Sequence, residues 1–278
     1  MNPIFKEKRI KIRLPAPPSG EGTGNENGKR RKKTKNEKRK TKNEKKTAGR
    51  FAPGKERSTM QTKKTSAGVP TEKGRIVLDP GHGKTGNPHT TREGFYEGTQ
   101  NFLLASYLQK ELTARGYEVL CTRKTVDDDP DLAERGSLAG KTGAILFLSL
   151  HSNAPGTPAD KEAELRYPTV RGVETYYSVT DPDRNARLAA RLNAAVAKVM
   201  NTPDRGIKTR HYPDHPDWDY YGVIRSSAQS GCRCALLVEH GFHTNPEDSA
   251  FLQDEASLAR LAAAEAEAID AFFSAEKQ

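Results

Sequence analysis

The 278-residue sequence predicts an α/β fold: a single, mainly parallel twisted sheet of about six strands flanked by helices, preceded by a disordered basic tail. Three observations carry this expectation. From Arg75 onward, short apolar runs alternate with amphipathic helical periods, the pattern of a parallel sheet covered on both faces. The runs are continuously apolar, as strands buried on both sides are. Charge also divides sharply along the chain: residues 1–74 hold 23 Lys and Arg against 7 Asp and Glu, and the remainder holds 23 against 29. The expected domains are a Lys/Arg-rich tail over 1–73 and one catalytic-sized domain over 74–278.

In the tail, "KTKNEKR" (33–39) is followed at once by "KTKNEKK" (40–46). The period is seven, but no position is apolar, so no coiled-coil seam exists to bury. Dense like charge with few apolar residues cannot offset the entropy of ordering, which predicts disorder. Such a segment serves either as a solvated linker or as an attractor of polyanions: nucleic acid, an anionic wall polymer or a membrane surface.

The domain opens with "RIVLD" (75–79), a buried strand. Pro88 and Gly94 then prevent any helix before about residue 97. Over 101–115, Leu104, Leu108 and Leu112 fall on one stripe, and Gly116 closes the helix. "YEVLCTR" (117–123) is a second strand, "DLAERGSLAG" (131–140) a short helix, and "AILFLSL" (144–150) the most apolar strand. "GVETYYSV" (172–179) is a further strand. A helix follows, with Asp181 as N-cap, Pro182 at its first position, and Leu188, Leu192, Val196 and Val199 on one face. "CALLVEHGF" (234–242) is the last strand, and 248–273 the closing helix.

Composition excludes several classes. Three cysteines are too few for a disulfide framework, and Cys232-x-Cys234 is short of zinc-knuckle spacing, so buried thiols are expected. No apolar run approaches the 18 residues of a membrane span. The N-terminus carries charge but no h-region, so no signal peptide is recognisable.

The stretch "LDPGHGKTGNPH" (78–89) imitates two nucleotide motifs and satisfies neither. A P-loop ending at Gly83-Lys84-Thr85 needs glycine at 78, which is Leu78. Gly81, Gly83 and Gly86 fit G-x-G-x-x-G, but they lead into "NPHTTREG" and not into a helix. No nucleotide is expected, and the glycines instead let the backbone turn past the strand end and deliver His82. His82 follows the first strand by three residues, His151 directly follows "AILFLSL", and Glu239 ends "ALLV". Ligands of open α/β sheets bind at the carboxyl ends of strands. Placement alone leaves two readings open, a metal or catalytic constellation and ordinary polar strand ends.

"DPGHG", "SLHSNA", "RGVETYY", "DRGIK" and "LLVEHGFHTNPED" occur in one order over about 74–275, with a glutamate ahead of the first helix. In these the chain resembles the zinc-dependent N-acetylmuramoyl-L-alanine amidases of the amidase-3 type, hydrolases of the bacterial cell wall. The resemblance implies one Zn2+ held by His82, Glu97 and His151. Glu97 is preferred to Glu93 because it stands four residues before Asn101, the spacing of the family's ligand. Glu239 matches the family's catalytic glutamate, which would take a proton from the attacking water and pass it to the leaving amine. Asn153 and Arg225 are implied as substrate contacts, a structural salt bridge being the alternative for Arg225. His89, His211, His215, His240 and His243 are not at ligand positions. The implied substrate is peptidoglycan, cut between N-acetylmuramic acid and L-alanine by a monomeric autolysin or endolysin acting outside the membrane, extracellular or periplasmic. The basic tail would stand in for a wall-binding repeat. A phage lysin, a mother-cell lytic enzyme or a mis-called start would each reconcile that location with the missing signal. The rival readings are a stem-peptide zinc peptidase and a non-catalytic wall-binding module.

Overall fold

The computed structural model describes residues 73–87, 95–156, 162 and 166–277. The tail, His89, Glu93 and much of the 155–170 connection lie outside the described residues. The strands are β1 (Arg75–Pro80), β2 (Glu118–Cys121), β3 (Leu146–Asn153), β4 (Val173–Tyr177), β5 (Asp204–Lys208), β6 (His211–Tyr212), β7 (His215–Asp219) and β8 (Ala235–Phe242). The helices are α1 (Glu97–Ala114), α2 (Leu132–Lys141), α3 (Pro182–Met200), α4 (Gly222–Gln229), α5 (Pro246–Gln253) and α6 (Glu255–Ala275).

The six-stranded sheet has the order β2-β1-β3-β8-β4-β5, while β6 and β7 form a separate hairpin. β2, β1, β3 and β8 are mutually parallel; β4 runs antiparallel to β8 and parallel to β5. The mainly parallel sheet expected from the alternation is therefore present, with its last two strands reversed. An antiparallel neighbour needs no crossover helix, whereas β4 and β5 are joined through α3, as a parallel pair requires.

Side chains alternate strictly between two cores. Ile76 and Leu78, Leu146, Leu148 and Leu150, and Leu236 and Val238 face α1, α3, α5 and α6. Val77, Phe147, Ala235 and Leu237 face α2 and α4. The period of two along a strand sends neighbours to opposite faces, so continuous apolar runs are what a doubly covered sheet demands.

Helix ends follow local chemistry, with corrections to the expected elements. Gly116, at φ 92°, follows α1 as expected. Pro182 opens α3, but the Asp181 side chain makes no capping bond. The single closing helix is in fact two. Asp254 is extended, and its carboxylate accepts from Ser257 N, so one helix ends and another is capped at the same residue. Among the described residues no helix is long and apolar enough to cross a membrane.

Candidate metal centre and catalytic cleft

Beyond Pro80 the chain turns across the sheet edge. His82 itself occupies the left-handed region, at φ 59°, while Gly81 and Gly83 on either side do not. For a residue with a Cβ this conformation costs about 1–3 kcal/mol and is found where a site requires it. The glycines serve close approach instead. A Cβ on Gly81 would lie 2.2 Å from His151 Cε1, so the turn lies directly against the second imidazole. Arg135 of α2 ties the turn down, donating to Asp79 Oδ1 at 3.0 Å, Pro80 O at 2.8 Å and His82 O at 3.1 Å.

Glu97 is the first residue of α1 and is 1% exposed. Its Oε1 accepts from Ser152 N at 2.9 Å and from Asn101 Nδ2, one helical turn on, at 3.3 Å. Asn87 Nδ2 donates to Oε2. His82 Nε2 stands 3.2 Å from Oε2, and His151 Nδ1 stands 3.1 Å from Oε1. The two imidazoles cross at 77° with centroids 5.0 Å apart. Burial opposes ionisation of Glu97, but His151 and His82 outweigh it and hold the carboxyl well below its usual range. Burial likewise opposes protonation of His82, and Glu97 reverses this, raising the imidazole pKa.

One ligand atom from each of His82, Glu97 and His151 lies within 4.8 Å of the other two. Two imidazoles and a carboxylate are the donor set of catalytic zinc, which takes three protein ligands and leaves one position open. The set also has an electrostatic need for such an ion. Among the described residues the ion-pair partners of this buried carboxylate are two histidines, which balance its charge only by staying protonated. The carboxylate is oriented by Ser152 N, Asn101 and Asn87, the kind of support metal ligands receive. The residues fit zinc.

β8 brings Glu239 alongside. In register, His151 of β3 and Glu174 of β4 both pair with Glu239, so the three side chains stand across adjacent strands. Glu239 Oε2 is enclosed and has no hydrogen-bond partner among the described residues. Burial, with the charges of Glu97 and Glu174 added, pushes its carboxyl well above the usual range. A carboxyl whose burial favours its protonated form is suited to exchanging a proton with a reacting group.

Glu174 was not singled out from the sequence. It accepts from Asn153 Nδ2 at 2.9 Å, Tyr176 Oη at 3.0 Å and Arg205 Nε at 3.1 Å, and pairs with Lys208. "RGVETYY" and "DRGIK" contain all but Asn153 of these residues, but only the pairing of β4 with β5 joins them. A cavity of about 420 Å³ opens here, lined by Asn153, Glu174, Tyr176, Arg210, Tyr221 and Glu239. A second, of about 410 Å³, is lined by His82, His151, Asp129 and Leu132.

The structure thus brings His82, Glu97, His151 and Glu239 to one sheet edge, with Asn153 beside Glu239. Arg225 lies elsewhere, at the base of the β6–β7 hairpin, donating to Asp219 O at 2.7 Å and Tyr220 O at 2.9 Å. His240 and His243 are buried behind the site. His240 bridges Glu265 Oε1 at 3.0 Å and His151 O at 2.9 Å. His243 Nδ1 meets Ser152 Oγ at 2.9 Å, and its ring stacks on Phe95. Cys232 and Cys234 are buried thiols, with burial pushing Cys234 up to about 12.

Residues 76–271 match the family model described as N-acetylmuramoyl-L-alanine amidase. The sporulation-specific N-acetylmuramoyl-L-alanine amidase of Bacillus subtilis is 29% identical over 205 residues, which is 73% of this chain and 69% of that protein. The N-acetylmuramoyl-L-alanine amidase LytC of the same organism is 31% identical over 179 residues, 64% of this chain but only 31% of LytC. Among solved structures, the catalytic domain of CwlV, an N-acetylmuramoyl-L-alanine amidase from Bacillus (Paenibacillus) polymyxa, gives a TM-score of 0.58 at 26% identity, covering 72% of this chain and 98% of that one.

Proposed function

The chain belongs to the N-acetylmuramoyl-L-alanine amidase family, and we propose that it cuts peptidoglycan between N-acetylmuramic acid and L-alanine at one zinc held by His82, Glu97 and His151. The observation that carries this is the unpartnered Glu239 Oε2 one strand from a His-Glu-His donor set. The zinc, when bound, supplies a Lewis acid that polarises the scissile carbonyl and acidifies the attacking water. Everything else falls to side chains of the chain itself. Glu239 accepts the water proton at Oε2 and returns it to the alanine nitrogen as the C–N bond breaks. Ser152 N and Asn101 Nδ2 hold the Glu97 carboxylate in place as the third ligand between the two imidazoles. Asn153, anchored on Glu174 through Nδ2, lines the cavity where the substrate carbonyl and acetamido groups would lie. The substrate places the reaction on the cell wall, outside the membrane.

Two measurements test this reading. Glu239→Gln is expected to abolish release of soluble fragments from purified peptidoglycan while leaving one zinc per chain by elemental analysis. Mass analysis of the digest is expected to show new L-alanine amino termini, no new reducing sugars, and no products after zinc chelation. Cleavage between amino acids of the stem would identify a peptidase instead, and a wild-type protein that binds walls without releasing fragments would identify a binding module.

A further inference from the structure

The β6–β7 hairpin plays no part in the chemistry above, yet it displays aromatic surface. Tyr212 is 39% exposed, Trp218 43% and the adjoining Tyr220 38%. His215 stacks on Trp218 with centroids 4.3 Å apart and planes within 15°, and Tyr212 lies 6.2 Å from Trp218. The rings are braced from below. Arg225 sits 4.7 Å from the centre of the Tyr212 ring while donating to Asp219 O, and Arg210 lies 3.5 Å over Tyr220. A cation over a ring face is favourable, and Arg225 and Arg210 each back one side of their tyrosine ring.

The platform runs into the catalytic cavity. Tyr220 meets Tyr221 edge to face at 5.5 Å, and Tyr221 lies 4.7 Å from Tyr176. Tyr176 and Tyr221 both line the cavity with Glu239. A polymer seated at Glu239 therefore has Tyr176, Tyr221 and Tyr220 beside it, on the segment that adjoins the hairpin.

We propose that this hairpin is a glycan subsite, in which Trp218, backed by His215 and flanked by Tyr212, stacks on a sugar ring of the strand beyond the muramyl residue being cut. Its identity as a peptidoglycan glycan rests on the amidase reading. A pyranose offers one flat face of C–H groups, which matches an aromatic face, and a rim of hydroxyls and acetamides. Asp214 and Asp217, exposed on the same hairpin, supply acceptors for that rim. Asp214 and Asp217 also offset the charges of Arg210 and Arg225, so the hairpin offers no net positive charge to an anionic membrane surface, the other environment that suits exposed Trp and Tyr. Binding energy from sugars remote from the scissile bond is the kind that positions a polymeric substrate.

Trp218 is the only tryptophan of the chain, so its fluorescence reads occupancy directly, with or without hydrolysis. Titrating the full chain with peptide-free glycan oligomers from peptidoglycan is expected to give a saturable emission change, and anionic phospholipid vesicles none. His215→Ala, which removes the stacked partner but keeps the fluorophore, is expected to weaken that titration. On purified sacculi, Trp218→Ala is expected to raise the half-saturating substrate about tenfold, equivalent to about 1.4 kcal/mol, and Trp218→Phe to recover most of it, with circular dichroism confirming the fold. No emission change with millimolar glycan oligomers overturns the proposal, as does a response to vesicles in their place. A glycan response without peptidoglycan hydrolysis supports the subsite while rejecting the amidase reading; hydrolysis without a glycan response does the opposite.

Discussion

Gly98→Ala tests whether the proposed metal site depends on how closely α1 approaches the His82 turn. A Cβ at Gly98 would lie 1.7 Å from Gly83 O and 3.2 Å from His82 Cβ. The nearer atom is backbone, so no side-chain rotation relieves the contact. Bringing it out to the 3.0 Å that real Cβ atoms respect parts helix and turn by about 1.3 Å. That motion pulls Glu97, the residue before Gly98, away from His82, whose Nε2 is 3.2 Å from Glu97 Oε2. Metal sites hold their ligand distances within about 0.2 Å, so the displacement is several times the tolerance. The sign of the stability change is equally informative. In a helix without the clash, alanine for glycine gains up to about 1 kcal/mol; with it, overpacking costs about 1–3 kcal/mol. For a domain of this size each kcal/mol moves Tm by about 2–4 °C. The variant is expected to melt several degrees lower and to lose zinc affinity on the order of a hundredfold, the upper end of what disturbing a metal ligand's support costs. Competitive chelator titration and calorimetry measure both. A Gly98→Ala protein that melts higher than the parent and binds zinc equally well would refute the packing argument.

Three further outcomes follow from the same structure. Burial would raise the Glu174 carboxyl, but Lys208 and Arg205 win and lower it; its stabilising contribution is therefore complete above the unfolded value near 4.5 and is lost as pH falls through the lower folded value. Glu174→Gln is expected to flatten the dependence of unfolding free energy on pH below about 5, measured by urea titration, and an unchanged slope would deny the carboxylate that role. Arg135→Ala leaves Asp79 buried without its guanidinium partner and frees Pro80 O and His82 O; a loss of about 3–5 kcal/mol is expected by the same titration, as for broken buried pairs. Deleting residues 1–70 is expected to weaken co-sedimentation with walls at low salt and to make little difference at high salt, where charge attraction is screened; equal binding by both forms at low salt would show that the tail contributes nothing.

Much of this protein was legible in one dimension. The strands announced themselves because a doubly covered strand must be apolar throughout, and Ile76, Val77 and Leu78 are wholly buried. Gly116 and Pro182 marked helix ends by their own backbone preferences. The choice of Glu97 came from the family spacing to Asn101, and the structure supplies its physical content: residues four apart in a helix face each other, and Asn101 donates to Glu97. Asp254 was the missed local signal: a capping residue within a continuous helical period divides the last helix in two.

What the sequence by itself determined was local: alternation, caps, and which chemistry-bearing residues stand at strand ends. The tertiary structure decided which strand ends become neighbours. The reversal of β4 beside β8 sets Glu174 against Glu239, and its pairing with β5 brings Arg205 to Glu174. The left-handed turn at His82 persists because Arg135 and the ring of His151, both distant in sequence, close around it. Each of these depends on contacts between residues far apart in the chain, and no period or motif within a single segment encodes such a contact.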